Sequence, residues 1–101
     1  MSFQDEADAR TEKIGKLDKV RLKGVNAANI LREVKPVLEQ MRRIYIEDLV
    51  EQTRTTGKPH EFNVYRLVAL ADIQDFLNEQ ASRGRRAAHK LRELENAGGS
   101  E

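Results

Sequence analysis

Asp72, Asp75 and Glu79 are spaced by three and then four residues, so a helix carries all three carboxylates on one face. Such a set can hold a divalent cation or polarise a water. A metal site in a helical bundle usually draws further ligands from a facing helix. The competing reading is a solvated face, with Arg83 one turn on and Arg42 or Arg43 across a hairpin as counter-charges. The two histidines, His60 and His89, are too few for a zinc site within one chain, which wants three or four ligands rich in His or Cys; the chain has no cysteine. Ser2, Ser82 and Ser100 are the only serines, and no Gly-x-Ser-x-Gly elbow presents a nucleophile. No glycine-rich phosphate loop is present, since Gly98-Gly99 lies in the tail. The expectation is no catalytic residue, no metal, no cofactor and no small-molecule substrate. Enzyme chemistry would need a site shared between chains around Asp72, Asp75 and Glu79.

The basic residues form a stronger functional pattern. Arg83, Arg85, Arg86, Lys90 and Arg92 follow one another with no acid between them, and Arg85, His89 and Arg92 share one helical face. Lys13, Lys16, Lys19, Arg21 and Lys23 form a second block, interrupted by Asp18 alone. Such stretches fit phosphate contacts, whose affinity falls steeply with salt. No aromatic is interleaved with either block, so stacking on single strands is not offered. The helices are also too long for a tight helix-turn-helix. Pairing with acids of a neighbouring subunit, or a favourable charge at a helix end, explains the same residues without nucleic acid.

Composition limits the rest. With 101 residues, 39% of them apolar and 35% charged, the chain has room for one domain and must place its apolar residues on one stripe per element. The 18 basic and 17 acidic side chains nearly cancel, which hides the local blocks. Absence of cysteine excludes a disulfide framework. The longest apolar run, Leu67-Val68-Ala69-Leu70-Ala71, is far short of a membrane span, and the acidic start does not resemble a secretory signal. A cytoplasmic location, or one within a virus particle, with no membrane partner, is expected.

The elements that position these groups are helices. Ala27, Leu31, Val34, Leu38, Met41, Tyr45 and Leu49 recur at steps of three and four, the stripe of an amphipathic helix. Pro36 predicts a bend, with a short helix over 26–35, capped by Asn26 or Asn29, leading into a main helix. Gly57 and Pro59 predict a C-terminal cap and a following first helical turn. The second stripe runs Phe62, Tyr65, Ala69, Ile73, Phe76 or Leu77, Ala81, Gly84, Ala88, Leu91 and Leu94, with Tyr45 and Tyr65 expected at the rim of the core. Leu70, Leu77, Gly84 and Leu91 fall seven apart, a short, imperfect coiled-coil seam. No strand pattern competes.

The fold class is therefore all-α: a long antiparallel helical hairpin. A charged N-terminal arm, flexible or short-helical, covers 1–25; the hairpin domain covers 26–97, with helices at about 26–55 and 59–96; a frayed tail covers 98–101. Ile44, Ile46, Val50, Val64, Val68 and Phe76 fall outside any single narrow stripe. A lone hairpin seldom covers so many, so they need the N-terminal segment, a second copy or another protein. The expected assembly interface is Leu38, Met41, Tyr45, Leu49, Leu70, Ile73, Leu77 and Leu91.

The stretch Leu38 to Leu77, with Tyr45-Ile46-Glu47-Asp48-Leu49-Val50, the loop Gly57-Lys58-Pro59 and Phe62 through Leu77, resembles small helical-hairpin proteins of tailed bacteriophages. One such type is the short small terminase subunit, in which two helices joined by a brief loop pack side by side in a ring. The resemblance covers under half the chain and carries no diagnostic motif; residues 1–25 lack the DNA-binding head. It implies an assembly or adaptor role in a phage particle or packaging machine. The functional expectation is a non-enzymatic structural protein that forms a homo-oligomer or joins a larger protein partner. The alternative is a small nucleic-acid-binding protein using the basic C-terminal helix and the N-terminal arm.

Overall fold

Gly57 stops the first helix. Its φ of +75° lies in the left-handed region that glycine reaches without a Cβ penalty, and its N–H closes on the Thr53 carbonyl at 2.8 Å. Three threonines tidy the last turns: the hydroxyls of Thr53, Thr55 and Thr56 reach the carbonyls of Leu49, Glu51 and Gln52 at 2.7–2.9 Å. Two residues after Pro59 the chain is helical again. The His60 carbonyl accepts from the N–H groups of Asn63 (3.1 Å) and Val64 (3.3 Å), so His60 is the N-terminal cap position and the helix starts at Glu61, not at Pro59.

The computed structural model describes residues 3–99 and contains two helices, α1 (Phe3–Thr56) and α2 (Glu61–Gly99), antiparallel across this loop, with no strand among the described residues. Residues 3–25, expected as a separate arm, continue α1 without a break, and Asn26 and Asn29 sit in mid-helix rather than at a cap. The expected bend at Pro36 does not end the helix either: α1 runs through it, although Pro36 removes the donor that the Arg32 carbonyl would otherwise use. Of the expected tail, Gly98 and Gly99 belong to α2, while Ser100 and Glu101 lie outside the described residues.

The paired helices form two compact units. The terminal unit pairs the α1 residues up to Ala28 with the α2 residues from Glu79; the loop unit is Asn29–Asn78. In the terminal unit the seam is built from small residues: Gly24, Ala27, Ala81, Gly84 and Ala87 are buried, and the backbones touch at Gly24 and Gly84. Leu17, Leu91 and Leu94 flank them half-buried, and the Arg10 guanidinium donates to the Leu94 carbonyl at 3.1 Å.

In the loop unit the seam uses larger side chains. Leu70 and Leu77 are buried; Leu31, Val34, Leu38, Met41, Tyr45 and Leu49 are half-buried. The layer nearest the loop is polar. Asn63 is only 3% exposed, and its side-chain amide Nδ2 donates to the side-chain Oε1 of Gln52 at 2.6 Å. Next to it the Arg66 guanidinium stacks on Phe62, 3.9 Å from the ring centroid, and lies 4.9 Å from that of Tyr45. Among the described residues no large side chain is fully buried. A two-helix seam has only one contact face, and that face is filled without enclosing anything.

Candidate functional site

Burial along the loop unit sets apart what the hairpin uses internally from what it leaves open. Of the residues expected to form an assembly interface, Leu38, Met41, Tyr45, Leu49, Leu70 and Leu77 lie in the seam between α1 and α2 of the same chain. Ile73 lies outside it and is 48% exposed. Leu91 is half-buried in the terminal unit. The apolar surface that remains is formed by Ile30, Val37, Ile44, Ile46 and Val50 of α1 with Phe62, Val64, Tyr65, Val68, Ile73 and Phe76 of α2, all exposed with every described residue of the chain in place.

Two grooves divide this surface, and they share Leu38. One is lined by Ile30, Val34, Leu38, Ile73, Phe76 and Leu77. The other, about 470 Å³, is lined by Leu38, Ile46, Leu49, Val64, Val68 and Leu70, with Glu39, Arg42 and Gln74 at its edge. Half-exposure of eleven large apolar side chains, the aromatic ones offering roughly 150–250 Å² each, leaves on the order of 1,000 Å² of apolar surface on the loop unit. A standard interface buries about 800 Å² on each partner. The second stripe read from sequence is out of phase in its first half. Phe62, Tyr65 and Phe76 point outward, Tyr65 at 66% exposure, while Asn63 takes the buried position.

The terminal unit holds both basic blocks. Helix pairing brings the α1 block beside the α2 block, as shown by one groove lined by Asp18, Arg21, Ala88 and Arg92 and another lined by Arg21, Gly24, Arg85 and Ala88. Acids offset part of this charge. Glu12 pairs with Lys16 at 3.2 Å, Asp18 with Arg21 at 2.8 Å, and Glu79 with Arg83 at 3.0 Å and Arg86 at 3.4 Å. Glu93 lies 3.1 Å from His89 and 3.9 Å from Lys90, and Arg85 donates to the Ser82 hydroxyl at 3.0 Å. Lys13, Lys19, Lys23 and Arg92 have no ion pair or hydrogen bond among the described residues. The pairs are solvent-exposed, so each contributes little, roughly 0–1 kcal/mol.

Glu79 of the carboxylate trio pairs with Arg83, the counter-charge expected one turn on, and with Arg86, which was not expected, while among the described residues no ion pair joins the trio to Arg42 or Arg43 and no group of three or more His, Asp or Glu is placed to hold a metal ion. Among them, too, no helix is long and apolar enough to cross a membrane. No protein-family model matches the chain, and no curated protein or solved structure shows significant similarity to it.

Proposed function

We propose that this chain is a non-enzymatic structural protein that assembles with copies of itself through the helical faces of its loop unit, in an assembly or adaptor role. A phage particle or packaging machine, the setting implied by the resemblance of Leu38–Leu77, belongs to the same proposal. The observation that carries it is the apolar surface of the loop unit, divided between a face around Phe76, 63% exposed, and another around Val68, 52% exposed. Full burial of an exposed large apolar side chain stabilises by about 1.5–3 kcal/mol, and these side chains, already about half buried, have roughly half of that left to gain from a partner. Light scattering on wild type and on Phe76→Asp tests it: the wild type should exceed the monomer mass and the variant should lose mass while staying helical.

A second reading, nucleic-acid binding, is favoured by one observation: the two basic blocks, about sixty residues apart in sequence, lie side by side in the terminal unit. Lys13, Lys19, Lys23 and Arg92, without an acidic partner among the described residues, would meet phosphates together with Arg83, Arg85, Arg86 and Lys90. Binding of a random-sequence duplex that weakens steeply with salt supports this reading; absence of binding at low salt removes it.

A further inference from the structure

We infer that the terminal unit holds a multivalent phosphate between its two helices, at Arg21, Arg85 and Arg92, and that the bound anion clamps α1 to α2. Two neighbouring grooves of that unit share Arg21 and Ala88; Arg92 lines one of them and Arg85 the other. Arg85, Ala88 and Arg92 follow at steps of three and four, so one face of α2 carries them, with Arg21 supplied by α1. The small Ala88 leaves room for a ligand between the two arginines. Much of the donor capacity is unused. Arg92 makes no ion pair or hydrogen bond among the described residues, and Arg85 gives one bond to the Ser82 hydroxyl at 3.0 Å. Arg21 gives its Nε and one Nη to a single Asp18 oxygen, whereas a guanidinium carries five N–H donors in a fork that matches phosphate oxygens. Asp18 and Glu95 line the Arg92 groove as well, so a singly charged anion gains little there and a compact oligophosphate gains most.

The pairing of these two helices has little else to hold it. The buried seam residues Gly24, Ala27, Ala81, Gly84 and Ala87 are small and remove little apolar area from water. The ion pairs Lys16–Glu12, Arg21–Asp18, Arg83–Glu79 and Lys90–Glu93 each stay within one helix, and none of them ties α1 to α2. A contact that does cross the seam, from the Arg10 guanidinium to the Leu94 carbonyl, brings a further cation to it. Two cationic blocks therefore meet where Gly24 and Gly84 bring the backbones together, and their repulsion opposes pairing. Monovalent salt only screens that repulsion. An anion gripped from both helices replaces it with attraction. Neither self-assembly nor nucleic-acid binding is needed for this clamp.

Hydrogen exchange on the full-length chain tests it, with tripolyphosphate as the probe and sodium chloride of equal ionic strength as the reference. At about ten times its dissociation constant, tripolyphosphate should slow exchange of the protected amides of the terminal unit by about tenfold and leave 29–78 unchanged. Arg21→Gln with Arg92→Gln should abolish the effect. Arg85→Gln with Arg92→Gln, both at exposed positions, serves as a second pair should the first lose helicity by circular dichroism. Lys23→Gln with Lys90→Gln removes the same charge from positions that line neither groove and should keep the effect. A short DNA duplex run in parallel separates the sources of phosphate. Protection by both probes supports the clamp, and protection by tripolyphosphate alone supports it with a free oligophosphate as the ligand. Protection by the duplex alone would overturn the clamp and leave the nucleic-acid reading in place. Protection by neither would overturn it, and so would an equal loss in the lysine pair, which would mean a diffuse positive field and no site.

Discussion

Gly24 and Gly84 meet backbone to backbone: a Cβ built on Gly84 would stand 2.6 Å from the Gly24 Cα and 3.2 Å from the Arg21 carbonyl oxygen. Neither obstacle is a flexible side chain that can swing away. The contact lets the two helices of the terminal unit approach closely around a seam of alanines, where larger side chains would hold them apart.

Gly84→Ala should therefore destabilise the protein, although alanine is the better helix former by about 1 kcal/mol. Separating two backbones that already touch costs more, about 1–3 kcal/mol as for other overpacked sites. Gly15→Ala is the matched control. Nothing lies within 4 Å of its added methyl, so it should stabilise by about 0.5–1 kcal/mol. Thermal melts at one fixed protein concentration should show opposite signs for the two; a stabilising Gly84→Ala would refute the close crossing.

The Asn63–Gln52 pair makes a different prediction. Asn63→Ala removes the donor and leaves the Gln52 side-chain Oε1 without it, a loss of about 1–3 kcal/mol. Replacing both by leucine should recover most of that stability, because an apolar pair needs no hydrogen bond. The polar pair would then act chiefly on the register of the hairpin, as a lone polar layer does in a coiled coil. A double-mutant cycle by chemical denaturation measures the coupling; additive effects would contradict it.

Arg66 contributes to the loop end through its stack on Phe62. Arg66→Ala should lower stability by about 0.5–2 kcal/mol, the range for an exposed to partly desolvated cation–π contact. Phe62→Leu should reduce the further cost of Arg66→Ala. Equal costs of Arg66→Ala in both backgrounds, read from denaturant midpoints, would show that the stack contributes nothing.

For the basic surface, Lys19→Gln with Lys23→Gln removes two cations that make no ion pair or hydrogen bond among the described residues. If nucleic acid binds here, the slope of log affinity against log salt should fall by about two. Lys35→Gln, on α1 in the loop unit, should leave it unchanged. Anisotropy of a labelled duplex across salt concentrations gives both slopes, and equal slopes for all three proteins would exclude the terminal unit as the contact.

The hairpin was legible in the sequence because Gly57 punctuates it and because Leu70, Leu77, Gly84 and Leu91 keep a seven-residue spacing that the seam follows. The phase of α2 near the loop was not legible. Apolar residues outnumber what one seam can bury, so Phe62 and Tyr65 present as convincing a stripe as the real one. The deciding contact, Asn63 to Gln52, is polar and joins two helices. That residues 3–25 continue α1 was not legible for a related reason. Gly15 and Gly24 lower helix propensity, yet Gly24 is where the helices touch, and tertiary packing outweighs propensity. The basic blocks were visible one at a time; that they share one unit depends on how α1 and α2 pair, which no local pattern encodes.

The central claim is that the apolar sides of the loop unit are covered by further copies of the chain. Light scattering across a size-exclusion column, with absorbance at 260 and 280 nm read together, tests it most directly. With no Trp and two Tyr, the ratio is dominated by any bound nucleic acid. The account predicts a peak heavier than 11.6 kDa, free of nucleic acid and unmoved by salt. A clean monomer at every concentration would contradict it.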